Sequence, residues 1–234
     1  MLEPYVMKPS IRPPLFRLYR ESVAYQDNVA LKNISLQIDW GEKVAFIGPS
    51  GAGKTTLLRT LYERAANDAA FVHQHYALVP QLSVFHNVYI GRLDGHSTVF
   101  NLLNLLKPQK KILLEILPIL RALGIEEKSF EKVGTLSGGQ QQRVAVARAV
   151  YRGEDILFAD EPVSSVDPHQ ADMVLQLIVQ NAETVVLSLH AVGFALKFAE
   201  RIIGLRNGEI QFDLPVEKVT QAMLSELYQN ADEG

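Results

Sequence analysis

The chain has 234 residues, of which 47% are hydrophobic, enough for one large domain or a domain with a small lobe. Its net charge of −3 argues against a general nucleic-acid-binding protein, which would normally carry a basic surface. It has no cysteine, which excludes a disulfide framework, a thiolate metal site and a cysteine nucleophile. Neither a secretory signal nor a run of about 18 uncharged apolar residues is visible, so we expect membrane association through a partner.

The N-terminal part of the chain is predicted to contain β-strands. Residues 1–14 hold four prolines and are interpreted as a loose leader. In residues 15–39 side chains alternate as in strands, with Asp27-Asn28 as a predicted turn. Tyr25 precedes that turn, and the residues alone leave open whether it is a half-buried strand aromatic or a ligand contact.

A glycine-rich loop follows a predicted buried strand at 43–47 and precedes a predicted helix at about 55–66. In this context G-x-x-x-x-G-K-[ST] predicts a phosphate-binding loop, whose backbone N–H groups and helix N-terminus face phosphate oxygens. Lys54 would reach the β- and γ-phosphates, and the Thr55 hydroxyl would bind Mg²⁺. An ordinary glycine-rich turn is the disfavoured alternative, and we predict that the protein binds a nucleoside triphosphate. The loop residues are Gly48, Pro49, Ser50, Gly51, Ala52, Gly53, Lys54, Thr55 and Thr56.

The next segment is predicted to end a short strand and begin a surface region. The strand covers 71–74, and its last residue, Gln74, can offer an oxygen to a metal ion or water. Residues 75–93 mix aromatic and polar side chains, which predicts a surface segment suited to a partner. An irregular loop folded onto its own core is the alternative.

Residues 98–132 predict a small helical lobe that Pro108 and Pro118 divide. Leucines and isoleucines recur there at helical spacing, and we interpret these stripes as core rather than as a cofactor site. The stripes contain Leu102, Leu103, Leu105, Leu106, Ile112, Leu113, Ile116, Leu120 and Leu123.

The C-terminal part predicts three further β-α-like units. The predicted strands are 156–159, 184–189, 202–205 and 209–212, with a hairpin turn at 206–208 and a terminal helix within 215–234.

Three polar motifs follow or precede these elements. Asp160 and Glu161 end a strand, where ligands bind in parallel sheets. Asp160 suits holding Mg²⁺ either directly or through one of the ligands of the ion, and Glu161 suits polarising an attacking water. The alternative is a pair of carboxylates that begin a turn. His190 ends another strand at the same predicted edge. Ser137 is a predicted N-cap, and the glycines after it predict a second anion site belonging to another subunit, or else a simple capping turn.

In this order the motifs closely resemble the ATP-binding subunit of an ABC transporter. The resemblance is carried by GPSGAGKTT, LSGGQQQR and ILFADEP, with Gln74, the turn SSVD at 164–167 and His190, and it covers residues 15–212. It implies an α/β fold: a P-loop NTPase core with a mostly parallel sheet, a small N-terminal antiparallel β portion and an inserted helical lobe. The domain would span 15–234, with a helical subdomain at about 85–150.

The resemblance also implies a head-to-tail dimer, either a homodimer or a dimer with a paralogous ATPase. ATP with Mg²⁺ would lie between the phosphate loop of one subunit and the signature of the other, which consists of Ser137, Gly138, Gly139 and Gln140. The resemblance further implies that Tyr25 stacks on adenine and that Thr55, Gln74 and Asp160 bind Mg²⁺. Gln74 would also sense Mg²⁺ and couple to the membrane subunit, and Asp167 would lie at the dimer interface. Glu161 would be the general base, and His190 would contact the γ-phosphate.

A finer similarity is to importers of phosphonate or related phosphorus oxyanions, through QHYALVPQLSVFHNVYIGRL and RIIGLRNGEIQFD. It implies permease subunits contacted near 75–93, an indirect link to a substrate-binding protein, no nucleic acid, and a peripheral place on the cytoplasmic face of the inner membrane. The alternatives are a soluble ABC ATPase, a P-loop kinase or GTPase, and a non-catalytic adaptor. The signature disfavours the second, and Lys54, Asp160, Glu161 and His190 disfavour the third.

Two departures from the family pattern stand out. Only about twenty residues separate Lys54 from Gln74, roughly half of what the pattern leads us to expect. The missing part would include strands of the small antiparallel sheet. Its absence would affect the packing on the adenine side of the nucleotide and the placement of Gln74. The interface turn also has serine and valine at 165 and 166 where alanine and leucine are more usual, and we expect it to function.

Overall fold

The structure, a computed structural model, describes residues 12–25, 28–65 and 68–229. The predicted leader therefore lies almost entirely outside the described residues, as does Asp27 of the first predicted turn. The chain divides into two compact units. The first unit contains the residues up to 69, 158–161 and those from 183 onward, and the second contains 70–157 and 162–182.

The described residues form eight strands and eight α-helices. The strands are β1 Phe16–Tyr25, β2 Asn28–Ile38, β3 Lys43–Ile47, β4 Ala69–Val72, β5 Ile156–Asp160, β6 Thr184–Ser188, β7 Arg201–Arg206 and β8 Glu209–Pro215. The helices are α1 Lys54–Arg64, α2 Val84–Tyr89, α3 Thr98–Leu106, α4 Lys110–Ala122, α5 Gly138–Arg152, α6 Pro168–Gln180, α7 Val192–Phe198 and α8 Gln221–Tyr228.

The first unit contains a small antiparallel sheet and most of a larger parallel one. Strands β1 and β2 pair antiparallel, with Phe16 opposite Ile38. Within this unit the strands of the larger sheet follow the order β5-β6-β3-β7-β8, in which β5 contributes its last three residues. Strand β3 runs parallel to β6 and β7, whereas β8 is antiparallel to β7. Strands β3 and β6 are near-continuous apolar runs, as expected for strands covered on both faces, and the predicted α/β fold is confirmed.

The hairpin of β7 and β8 forms where the sequence predicts it. Asn207 and Gly208 both have positive φ, of 53° and 79°, which the tight turns of twisted hairpins require. Gly208 is also needed for space, because a Cβ there would lie 2.6 Å from the carbonyl oxygen of Ala30. The turn thus presses against strand β2 of the same unit.

The second unit is mainly helical and includes the predicted lobe. Helix α4 buries Ile112, Ile116 and Leu120 as predicted. The prediction that the preceding leucines are core is wrong, because Leu102, Leu103, Leu105 and Leu106 of α3 are 58%, 53%, 48% and 77% exposed. The residue that α3 buries is Asn104, whose Oδ1 accepts a hydrogen bond from the N–H of Gln109.

Three boundaries in this unit differ from prediction. Strand β4 ends at Val72, so Gln74 lies two residues beyond it. The surface segment at 75–93 becomes helical from Val84 onward, because Ser83 caps α2 by accepting from the N–H of His86. Pro118 lies inside α4 and does not divide it. The carbonyl that loses its donor belongs to exposed Leu114 and can therefore bond to water.

The residues that the structure describes contain no helix long and apolar enough to cross a membrane.

Candidate functional site

The glycine-rich loop curls between β3 and α1 because its glycines adopt conformations closed to other residues. Gly48, Gly51 and Gly53 have φ values of 146°, 76° and 100°. A Cβ on Gly48 would lie 2.0 Å from the carbonyl oxygen of Leu205, a contact that no side chain could make. The curl leaves Gly53 at the N-cap of α1, and Thr56 lies in the first turn of that helix.

Lys54 is the buried cation of this loop. Its side chain folds back so that Nζ donates to the carbonyl oxygens of Gly48 and Pro49, at 2.7 and 3.0 Å. Burial lowers the pKa of the ammonium group, while the charges of Glu161 and Asp160 act in the opposite direction. A positive charge held in this way against a helix N-terminus favours an anionic ligand.

Asp160 ends β5 with its carboxylate almost completely buried. Oδ1 accepts from the Thr55 hydroxyl at 3.0 Å and from the Ser188 hydroxyl at 2.5 Å. Oδ2 is buried and has no hydrogen-bond partner. A buried carboxylate oxygen without a partner is costly, and a cation or its bound water would satisfy it.

The residues present therefore fit Mg²⁺. Thr55 and Asp160 place two oxygen ligands side by side, and the described residues contain no group of three or more His, Cys, Asp or Glu side chains that could hold a metal unaided. Mg²⁺ typically takes one or two protein oxygens and completes its shell with water and phosphate oxygens. The site thus suits a metal ion that arrives with a nucleotide.

Glu161 points away from Asp160 and toward His190. Its Oε1 lies 2.5 Å from Nε2 of His190, and the two side chains are 13% and 44% exposed. Glu161 has a φ of 50°, rare for a residue with a side chain, and its N–H donates to the carbonyl and hydroxyl oxygens of Ser188. Strain of this kind persists only where surrounding contacts enforce it, and it often marks functional positions.

Ser188 is the member of this group that the sequence reasoning missed. Its hydroxyl donates to Asp160 and accepts from the Glu161 N–H, so it holds both neighbouring carboxyl residues. The signal for it is a fully buried serine at the end of the apolar strand β6. A buried hydroxyl requires partners, which the adjacent strand end supplies.

The second unit holds the signature residues at the start of α5. Ser137 and Gln140 form a capping box, in which each side chain accepts the other's backbone N–H, so the predicted N-cap is confirmed. Ser137 and Gly138 are exposed at this helix N-terminus. Gly139 is packed tightly, because a Cβ there would lie 2.6 Å from the carbonyl oxygen of Ser165.

The predicted site residues are divided between the two units. Lys54, Thr55, Asp160, Glu161 and His190 share the first unit, whereas Gln74 and the signature belong to the second. Tyr25 is the last residue of β1 and pairs with Asn28, but its side chain lies outside the described atoms, so adenine stacking stays a prediction.

Comparisons with known proteins agree with this arrangement. The sequence model of the family described as ABC transporter matches residues 31–164. The phosphonates import ATP-binding protein PhnC of Pseudomonas entomophila (strain L48) is 40% identical, with 93% of each chain covered. The dimeric structure of MJ0796, a bacterial ABC transporter cassette, is 28% identical with a TM-score of 0.75, covering 86% of this chain and 98% of that one. A post-hydrolysis structure of the same cassette with ADP and Pi has a TM-score of 0.71, with the same identity and coverage.

We expect Lys54→Ala to reduce ATP affinity by at least about a hundredfold, because it removes the charge-assisted contacts to the phosphates. Isothermal titration with ATP and Mg²⁺ measures the effect. Lys110→Ala, on the exposed start of α4, is the matched control and should bind like the parent protein. Parental affinity in Lys54→Ala would rule out the phosphate-loop assignment.

We expect Ser188→Ala to raise the Mg²⁺ concentration for half-maximal ATP hydrolysis by about tenfold or more. Its hydroxyl orients Asp160 and the Glu161 backbone, so both metal binding and chemistry should suffer. The measurement is steady-state hydrolysis across a Mg²⁺ titration, with exposed Ser225→Ala in α8 as the control. An unchanged Mg²⁺ dependence would show that Asp160 keeps its position without this hydroxyl.

Proposed function

This chain belongs to the ABC transporter family as an ATP-binding, ATP-hydrolysing subunit, and we propose that it powers the import of a phosphonate or a related phosphorus oxyanion. The observation that carries the proposal is the group formed by Lys54, Thr55, Asp160, Glu161 and His190 in one unit. The cargo is inferred from relatives named as phosphonate import proteins, similar over nearly the whole chain.

Each residue of the group has a distinct part in phosphoryl transfer. Lys54 releases its loop carbonyls to bind the β- and γ-phosphates. Thr55 and Asp160 would hold Mg²⁺, which neutralises phosphate charge when bound. Glu161 accepts a proton from the attacking water, and His190 orients that carboxylate and contacts the γ-phosphate. The reaction needs positioning and charge neutralisation more than covalent chemistry, and this group supplies both.

The signature supports a head-to-tail dimer of this chain or of this chain with a paralogous ATPase. Ser137 and Gly138 lie exposed at the N-terminus of the fifteen-residue helix α5, where backbone N–H groups favour an anion. The phosphate loop already provides one such site in the first unit. In the proposed dimer the signature of one subunit contacts the ATP held by the other, which gives each helix terminus a ligand.

An apolar groove of about 360 Å³ in the second unit supports the permease contact predicted near 75–93. One wall comes from α2 and the turn after it, and the other from α3, whose leucines are exposed. We assign the groove to an apolar helix of the permease. This contact would hold the subunit at the periphery of the inner membrane, on its cytoplasmic face. A substrate-binding protein would then act indirectly, through the permease. The apolar lining comes mainly from Leu82, Tyr89, Ile90, Leu93, Leu102 and Leu105.

A non-catalytic adaptor is the second candidate function, because the segment between Lys54 and Gln74 is short. The contact of Glu161 with His190 and the strained Glu161 backbone support catalysis instead. A scaffold that only bound ATP would need neither feature.

We expect Glu161→Gln to bind ATP normally but to hydrolyse it at least about a hundredfold more slowly, because the amide cannot accept the proton. ATP should then trap a dimer, visible by light scattering with ATP and absent with ADP. Glu63→Gln, on the exposed face of α1, is the matched control. Hydrolysis at the parental rate by Glu161→Gln would exclude Glu161 as the base, and an inactive parent protein would favour the adaptor.

Reconstitution with the permease and its substrate-binding protein tests the cargo. In liposomes we expect a phosphonate to stimulate ATP hydrolysis several-fold over basal hydrolysis, because cargo delivery favours closure of the dimer. Sulfate at the same concentration is the control for a non-specific anion effect. Stimulation by sulfate alone would contradict the assignment to phosphorus oxyanions while leaving the ATPase function intact.

A further inference from the structure

The residues that follow Gln74 adopt backbone conformations that non-glycine residues rarely take. Tyr76 and Ala77 have φ values of 57° and 48°. Arg148, in the C-terminal half of α5, donates from its guanidinium group to both of their carbonyl oxygens, at 2.7 and 2.6 Å. The segment after Gln74 is therefore held in a strained shape by the same helix that begins with the signature.

The interface turn at 164–167 is held by that helix as well. Gln142, which is buried, accepts from the N–H of Ser165 at 3.0 Å and donates to the hydroxyl of Ser164 at 3.3 Å. Gly139 allows the turn to approach the helix closely, since any Cβ there would clash with the carbonyl oxygen of Ser165. Asp167 ends the turn by capping α6 through the N–H of Gln170.

One hydrogen bond joins these two segments directly. The phenolic hydroxyl of Tyr76 donates to the Ser165 hydroxyl at 3.0 Å. Because α5 already holds Tyr76 through Arg148 and Ser165 through Gln142, this bond closes a ring of contacts within the second unit. Ser165 occupies the position where alanine is more usual, so the serine that departs from the family pattern is the one that closes the ring.

We propose that Tyr76 and Ser165 are paired positioning residues that make the Gln74 segment and the interface turn move as one. The pair would transmit the state of the permease contact near 75–93 to the dimer interface, a role that rests on the proposed dimer. Ser165 is exposed and Tyr76 is partly exposed, so their bond contributes little to folding. Its effect is expected on turnover and not on nucleotide affinity, because neither residue belongs to the phosphate loop or to the signature that contacts ATP in the proposed dimer.

A double-mutant cycle on steady-state ATP hydrolysis tests the pair. Tyr76→Phe and Ser165→Ala should each lower kcat by about three- to tenfold, the range that one hydrogen bond supports. KM for ATP should stay within about twofold, and the melting temperature should stay within about 2 °C of the parent. The double variant should be no slower than the slower single variant, because both substitutions remove the same bond.

Two controls accompany the cycle. Ser165→Thr keeps a hydroxyl and should keep most of the parental kcat, whereas Tyr19→Phe removes an exposed hydroxyl of the other unit and should change nothing. Losses that multiply in the double variant, or single variants with parental kcat, would overturn the proposed pair.

Measuring the ATP-trapped dimer in the Glu161→Gln background, beside the kcat of the same variants, distinguishes failure of the proposed dimer from failure of the proposed hydroxyl pair. Failure of that background to form a dimer with ATP would overturn the proposed dimer, and with it the route from permease contact to interface. A normal ATP-trapped dimer combined with multiplying kcat losses would overturn only the hydroxyl pair. A trapped dimer with non-multiplying losses supports both proposals.

Discussion

The hydrogen bonds of the buried Asp160 carboxylate are the interaction on which the candidate site in the first unit depends. A carboxylate removed from water must be hydrogen-bonded, and here the partners are Thr55 of α1 and Ser188 of β6. Those bonds tie the helix after the phosphate loop to two neighbouring strand ends. Ser188 in turn fixes the backbone of Glu161, which aims its side chain at His190. One buried carboxylate therefore orders Thr55, Ser188 and the backbone of Glu161, which include the proposed metal ligands and the proposed base.

The features that the sequence predicts well are those decided by local chemistry. The glycines of the phosphate loop, the Asn207-Gly208 turn and the Ser137 cap each follow from residue types that few backbone shapes accept. The apolar strands follow from their composition in the same way. Each of these features can be predicted from the residue types within a short stretch of the chain.

The features that the sequence predicts poorly depend on residues far apart in the chain. Helical spacing of leucines in α3 predicts the helix but cannot tell whether its apolar face is covered, and that face is exposed. Ser188 and the bond between Tyr76 and Ser165 become visible only when distant strands and turns are brought together. Pro118 fails as a divider because it lies on a face of α4 where water can replace the lost bond.

The exposed leucines of α3 have a practical consequence for the isolated subunit. Several exposed leucines on one helix promote non-specific self-association in solution, which lowers solubility and produces aggregates that can be mistaken for a specific assembly. Such aggregates would form with or without nucleotide, and they would grow with protein concentration and salt. Purification in mild detergent would shield this helix and preserve a homogeneous preparation, as would purification together with the proposed permease.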